Sequence, residues 1–248
     1  MYMLGLVAVI ILVISVFASV LWMRYSSEER VHGDFKGIHS PLVLFDFDGT
    51  ICDSFATFFD ILNDFSEEYN FKKIEVGDVD FLRGMESKEV LEYLGIQWYK
   101  FPFIVKRVRN DLAGRLAGLE VFEGVADVLK ELNRRGVSMG IVTTNSVGNV
   151  EYFLKNNDLE VFDFIYSGVS IFGKHRILRS VCRSAGMNPF SESVYYVGDE
   201  TRDYKAAKKE GLVPILVSWG FNNKEAFKSL PDDRKVVDLP REFLSMIT

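Results

Sequence analysis

Leu42-Val43-Leu44-Phe45-Asp46-Phe47-Asp48-Gly49-Thr50 joins four consecutive apolar side chains to two acids, a glycine and a threonine. A short apolar run closed by a turn is the pattern of a strand buried on both faces, as in a parallel sheet. Alternation along an extended chain puts Asp46 and Asp48 on the same side, and Gly49 permits a sharp exit. Four similar runs follow at residues 139–142, 164–166, 194–197 and 215–218. Segments with helical spacing lie between them. Val125, Val128, Leu129 and Leu132 share a face before Gly136, and Val150, Phe153 and Leu154 repeat the pattern. Ile177, Leu178, Val181 and Cys182 mark a third helix, and residues 204–210, closed by Gly211, a fourth. Strands alternating with helices predict an α/β fold with an open parallel sheet covered on both faces. Residues 55–119 break this rhythm. They show helical spacing at Phe58, Ile61, Leu62 and Phe65 without a clear strand, and predict an inserted helical subdomain.

The chain has 248 residues, 48% of them hydrophobic, and a net charge of −6. Two cysteines, Cys52 and Cys182, exclude a disulfide-stapled scaffold. The acidic balance argues against a nucleic-acid partner bound by phosphate neutralisation. A mean hydropathy of +0.08 is high for a soluble enzyme, and the excess sits at the front. Residues 1–23 carry no charge, and the run 3–23 is broken only by small or polar side chains at Gly5, Ser15 and Ser19. At ~1.5 Å per residue such a run spans ~30 Å, the hydrocarbon thickness of a bilayer. Tyr2 and Trp22 bracket it where interfacial aromatics are expected. The expectation is a single-pass transmembrane helix over 1–23. No basic segment precedes the run and it exceeds a signal-peptide core; an apolar surface on every face disfavours a helix of a globular core. Arg24 and Arg30 after the run, with no Lys or Arg before it, leave the catalytic part on the cytoplasmic side. Residues 24–40 are polar and read as a linker.

Polar residues gather where the predicted strands end, the edge at which open α/β sheets bind ligands. Asp46 and Asp48 follow the first strand and Thr143-Thr144-Asn145 the second. Gly173-Lys174 precedes a helix, and Gly198-Asp199-Glu200-Thr201-Arg202-Asp203 opens another. At ~4 Å each pair of like charges among Asp46, Asp48 and Asp199 repels by ~4 kcal/mol at an effective dielectric of ~20. A hard divalent cation relieves this, and Mg²⁺ suits a few carboxylates plus a substrate phosphate. Lys174 and the Thr144 hydroxyl would then hold the remaining phosphate oxygens. The matching chemistry is nucleophilic phosphoryl transfer: one Asp attacks phosphorus, and a second acid protonates the leaving oxygen and then activates water.

DFDGT at the end of the first strand, Thr144, Lys174 and GDETRD, in this order, resemble the haloacid dehalogenase superfamily, in particular its phosphoglycolate-phosphatase-like branch. The resemblance runs from about Leu42 to the C-terminus and includes Asp53 and Ser54. It implies a Rossmann-like core over 41–54 and 120–248 with a helical cap over 55–119. By position, Asp46 would be the nucleophile and Asp48 the general acid/base, its backbone carbonyl on the metal. Asp199 would ligate Mg²⁺ directly or through water, and Asp203 would orient Lys174 from the outer shell. Thr144, through its hydroxyl, and Asn145, through its backbone N–H, would bind the transferring phosphoryl group. The second acid, Asp48, implies phosphate rather than halide chemistry. Arg83, in the loop Leu82-Arg83-Gly84-Met85-Glu86-Ser87, would reach from the cap toward an anionic substrate group. Glu200 would tighten the metal shell or cap the following helix. The expected function is a membrane-anchored, Mg²⁺-dependent phosphatase acting on a small phosphorylated metabolite. The alternatives are a phosphomutase of the same branch and a non-catalytic, membrane-tethered binding protein.

Overall fold

In a computed structural model that describes residues 30–167, 173–190 and 193–247, nine strands form one large sheet and one short ribbon. They are β1 (Arg30–Gly33), β2 (Leu42–Phe45), β3 (Cys52–Asp53), β4 (Glu120–Val121), β5 (Ser138–Val142), β6 (Phe164–Ser167), β7 (Val194–Gly198), β8 (Val213–Val217) and β9 (Lys235–Val237). The large sheet has the order β1-β6-β5-β2-β7-β8-β9. It is parallel throughout except for β1, which runs antiparallel to β6. The central strand β2 explains its own apolar run, because it lies between β5 and β7 with all four side chains buried. Val43 and Phe45 join one hydrophobic cluster with Val128, Leu129 and Phe243. Leu42 and Leu44 join the opposite one with Leu178 and Val181. Each such burial is worth ~1.5–3 kcal/mol, and both faces of the sheet are covered.

Between β3 and β4, which pair antiparallel, the chain is helical. It forms α1 (Phe55–Asp64), α2 (Ser66–Tyr69), α3 (Val79–Arg83), α4 (Ser87–Tyr93) and α5 (Phe101–Arg115). Helices α1 and α5 pack against each other, and ion pairs tie α5 to its neighbours, Arg107 to Glu68 of α2 (2.8 Å) and Arg115 to Asp64 of α1 (2.9 Å). The core helices are α6 (Val125–Arg134), α7 (Val147–Asn156), α8 (Lys174–Ser184) and α9 (Thr201–Lys209), followed by the short α10 (Lys224–Phe227) and α11 (Phe243–Met246).

Four strands escape the sequence reading, β3 and β4 of the short ribbon and the two at the edges of the large sheet. The segment taken as a linker over 24–40 includes β1, which covers the open edge of β6, and Phe35 just beyond it packs on Phe164 at 4.6 Å between ring centroids. Only four residues with a charge and a histidine among them make β1, so no apolar run announces it. Strand β9 is three residues long and begins with an exposed lysine. The apolar run 1–23, expected as a transmembrane helix, lies outside the described residues. Among the described residues no helix is long and apolar enough to cross a membrane.

Candidate active site

Strand register gathers the site. Phe45 at the end of β2 aligns with Ile141 of β5 and Val197 of β7, so the residues that follow the three strands meet at one edge. The Asp46 N–H continues the ladder by donating to the Val197 carbonyl at 2.8 Å. The turn is then closed by Gly49 N–H to Cys52 O (3.0 Å) and Ile51 N–H to Phe47 O (2.9 Å). Gly49 has φ +77°, and a Cβ there would collide with the Asp199 carboxylate and the Phe221 ring. A side chain at this position would therefore be strained and would also push the acids apart.

Lys174 sits between two of these acids. Its Nζ donates to Asp46 Oδ2 and to Asp203 Oδ1, both at 2.6 Å, with all three residues buried. Burial opposes its charge, but Asp203 and Asp46 outweigh burial and hold the ammonium well above its ordinary pKa. For Asp46, burial dominates over the Lys174 charge and lifts the carboxyl to about 6. Asp199 accepts from Thr50 Oγ1 (3.1 Å) and the Phe221 N–H (2.6 Å). Its pKa is raised well above the usual range by burial and then by Glu200, Asp203 and Asp46. Asp48 Oδ2 accepts from Asn145 Nδ2 at 3.1 Å, and burial pushes this carboxyl up against the effect of that bond.

Asp46, Asp199 and Asp203 each offer a carboxylate oxygen within 4.8 Å of the others, and all three are buried. Three carboxylates against one ammonium leave an excess of negative charge in an all-oxygen donor set, which fits a hard divalent cation such as Mg²⁺. This group is one of side-chain carboxylates, whereas Asp48 is expected on the metal through its backbone carbonyl and Asp203 beside Lys174. The Asp48 side chain turns to Asn145, and the first turn of α9 brings Asp203 in beside Asp199.

A cavity of about 220 Å³ opens on this edge, with Asp46, Asp48, Thr144 and Asn145 among its lining residues. Among the described residues, the buried atoms Asp48 Oδ1, Ser54 Oγ and Arg202 Nε have no hydrogen-bond partner, and all three residues line the same space. Buried polar atoms left without partners mark a place where a ligand completes the bonding.

A family described as haloacid dehalogenase-like hydrolase matches residues 43–217. This chain belongs to the haloacid dehalogenase-like hydrolases. It is 33% identical to the phosphoglycolate phosphatase of Synechococcus elongatus over 83% of this chain and 96% of that relative. It is also 25% identical to the tyrosine-protein kinase PtkA of Mycobacterium tuberculosis, over 76% of this chain and 66% of the relative. Among solved structures, a haloacid dehalogenase-like hydrolase from Streptococcus pneumoniae superposes with a TM-score of 0.66. It is 20% identical and covers 84% of this chain and 98% of its own. A putative phosphoglycolate phosphatase from Lactobacillus plantarum gives 0.67 at 17% identity over 83% and 98%. At these identities the superpositions establish the fold.

Two expected contacts in this hydrolase take another form. The Asn145 N–H, expected on a phosphoryl group, donates to Thr143 Oγ1 at 3.0 Å, and it is the Asn145 side chain that meets Asp48. Thr143 is fully buried, so Thr144 is the threonine that faces the cavity. Arg83, expected to reach for a substrate anion, is committed elsewhere. Its Nε and Nη2 donate to the carbonyls of Gly220 (3.1 Å) and Ser218 (3.2 Å). The reason is the loop after β8, whose carbonyls face the cap. Asn222 Nδ2 returns the contact to the Met85 carbonyl (2.9 Å) and the Asn223 N–H to Arg83 O (3.0 Å). Arg83 thus latches cap to core.

Glu200 takes the capping option. Its N–H is held by Asp203 Oδ2 at 3.0 Å, its Oε2 accepts from Ser87 Oγ of the cap at 3.1 Å, and it pairs with Arg202. The residue missed from sequence is Arg109 of α5. It lines the cavity, where burial and then Arg202 lower its pKa against the pull of Asp48. Its signal was a lone arginine at helical spacing beside Val105, Val108 and Leu112. Cys52 and Cys182 are buried and form no disulfide.

Proposed function

We propose that this hydrolase is a Mg²⁺-dependent phosphatase that acts on a small phosphomonoester through an aspartyl-phosphate at Asp46. The chain is a phosphoric monoester hydrolase. The observation that carries the reading is Asp46 beside Asp48 at the floor of the cavity, joined through Lys174 to Asp203. The likeness to a phosphoglycolate phosphatase supports a small phosphorylated substrate.

In this reading an Asp46 oxygen attacks phosphorus, the bond from phosphorus to the leaving oxygen breaks, and Asp48 gives that oxygen its proton. Asp48 is suited to begin as an acid, because burial raises its pKa. The same carboxylate then takes a proton from water as the water attacks phosphorus and releases Asp46. Asn145 orients Asp48 through their hydrogen bond. Lys174 and Thr144 hold the phosphoryl oxygens, and Asp203 keeps Lys174 in place and charged. Asp46 and Asp199, with Asp203 close by, would hold Mg²⁺, which would supply positive charge to the transferring group. The cap, latched at Arg83, limits the water that reaches the floor.

The test is phosphate release from a panel of phosphomonoesters by the full chain, with Mg²⁺ and with EDTA. Release that needs Mg²⁺ and vanishes in Asp46→Asn is expected. Wild-type turnover in that variant would rule out the covalent route.

We also propose that residues 1–23 tether the enzyme to a membrane, with the catalytic part on the cytoplasmic side. The uncharged apolar run supports this. Extraction of the full chain by alkaline carbonate would overturn it.

A further inference from the structure

We infer that the group esterified to the phosphate is apolar and seated inside the cap between α1 and α5. This rests on the phosphatase reading and names the substrate class.

The cavity that begins at Asp46 continues between the cap helices. Its volume of about 220 Å³ takes in the floor, where the phosphate sits, as well as the space under the cap. The roof is built from Phe58 and Leu62 of α1, Leu91 of α4, and Ile104, Val108 and Leu112 of α5. These positions are one helical face each, spaced i, i+4 in α1 and i, i+4, i+8 in α5.

The polar side chains that line the cavity from the cap are already engaged or stand at the floor. Arg83 is bonded to core carbonyls, and the Ser87 hydroxyl is given to Glu200. Arg109 has Asp48 and Arg202 as its electrostatic neighbours, which places it at the phosphate end. A hydroxyl or carboxylate pushed up among Leu62, Ile104 and Leu112 would lose its water and find no donor. Alkyl or aryl carbon meets no such penalty there.

The experiment measures kcat/KM of the full chain, in Mg²⁺, for methyl, butyl, hexyl and decyl phosphate and for phosphoglycolate. Values are expected to rise about threefold to fourfold per methylene up to hexyl, the equivalent of ~0.8 kcal/mol per buried CH₂, and to level off by decyl. Hexyl phosphate should exceed phosphoglycolate at least tenfold. Leu112→Phe, which narrows the roof, should lower hexyl phosphate at least tenfold more than methyl phosphate. The wild-type series decides the matter even where that variant folds poorly. A flat or falling series, with methyl phosphate still hydrolysed, would overturn the apolar pocket and leave the phosphatase reading standing. No phosphate release from any of these esters would overturn both.

Discussion

The floor of the cavity carries Asp46, Asp48, Lys174 and Asp199 at strand and helix ends, held by hydrogen bonds of 2.6 to 3.1 Å. Its roof presents Phe58, Leu62, Ile104 and Leu112 from cap helices packed by apolar contact. The floor is a set of charges that cannot shift without breaking several bonds at once. The roof is a surface whose chemistry survives exchange of one apolar side chain for another. On the proposed reading chemistry and selectivity are separated in this molecule, with the reaction in the core and the choice of leaving group in the cap. Arg83 is where the two meet.

The harshest way to break this contrast is to remove the proposed nucleophile. Asp46→Asn is expected to lower kcat by about 10⁴-fold or more, for every phosphomonoester alike, in a steady-state assay. A loss confined to one substrate would mean that the floor also selects. Next is Lys174→Met, which leaves Asp46 and Asp203 buried without their cation. Breaking a buried pair from one side costs ~3–5 kcal/mol, read as a lower midpoint in denaturant unfolding. An unchanged midpoint would show that the acids do not depend on this lysine.

A smaller effect is expected at the join. Arg83→Ala removes hydrogen bonds from a charged donor to two carbonyls, ~1.5–3 kcal/mol of interaction each in favourable cases. A fall of about tenfold in kcat/KM together with a lower midpoint of unfolding would identify a latch; a loss specific to anionic substrates with the midpoint unchanged would return Arg83 to substrate reading. The smallest effect lies outside both regions. Glu131 accepts from Arg134 and Arg135 on the surface, and these bonds hold its pKa down at about 2, below the ordinary 4.5. A carboxylate depressed on folding adds stability above its unfolded pKa and loses it as pH falls through the folded one. The wild-type advantage over Glu131→Gln should be present at neutral pH and shrink between pH 4.5 and 2 in thermal melts. An advantage that grows with acid would contradict the sign.

Much of the core was legible because fully buried parallel strands must be apolar on both faces, and the helices between them show one clear stripe each. That is why Leu42–Phe45 and the stripe Val125, Val128, Leu129 and Leu132 could be read directly. Strand β1 was not legible, since an edge strand of four residues needs no apolar run. Arg109 was hidden for a different reason. Helical spacing put it beside an apolar face, but only the packing of α5 over the core turns that face onto Asp48.

Order along the chain and local pattern were enough to assign the α/β class, the inserted cap, the strand-end acids and Lys174, because each depends on neighbours a few residues away. Tertiary structure alone decided that Asp203 joins Asp46 and Asp199, that Arg83 is held by the carbonyls of Ser218 and Gly220, and that the cap encloses an apolar space. Those outcomes depend on distances between segments as many as 157 residues apart in the chain, set by strand register and by the seating of the cap. The physical reason is that a hydrogen bond or a charge pair acts over a few ångströms in space, whatever the separation in sequence.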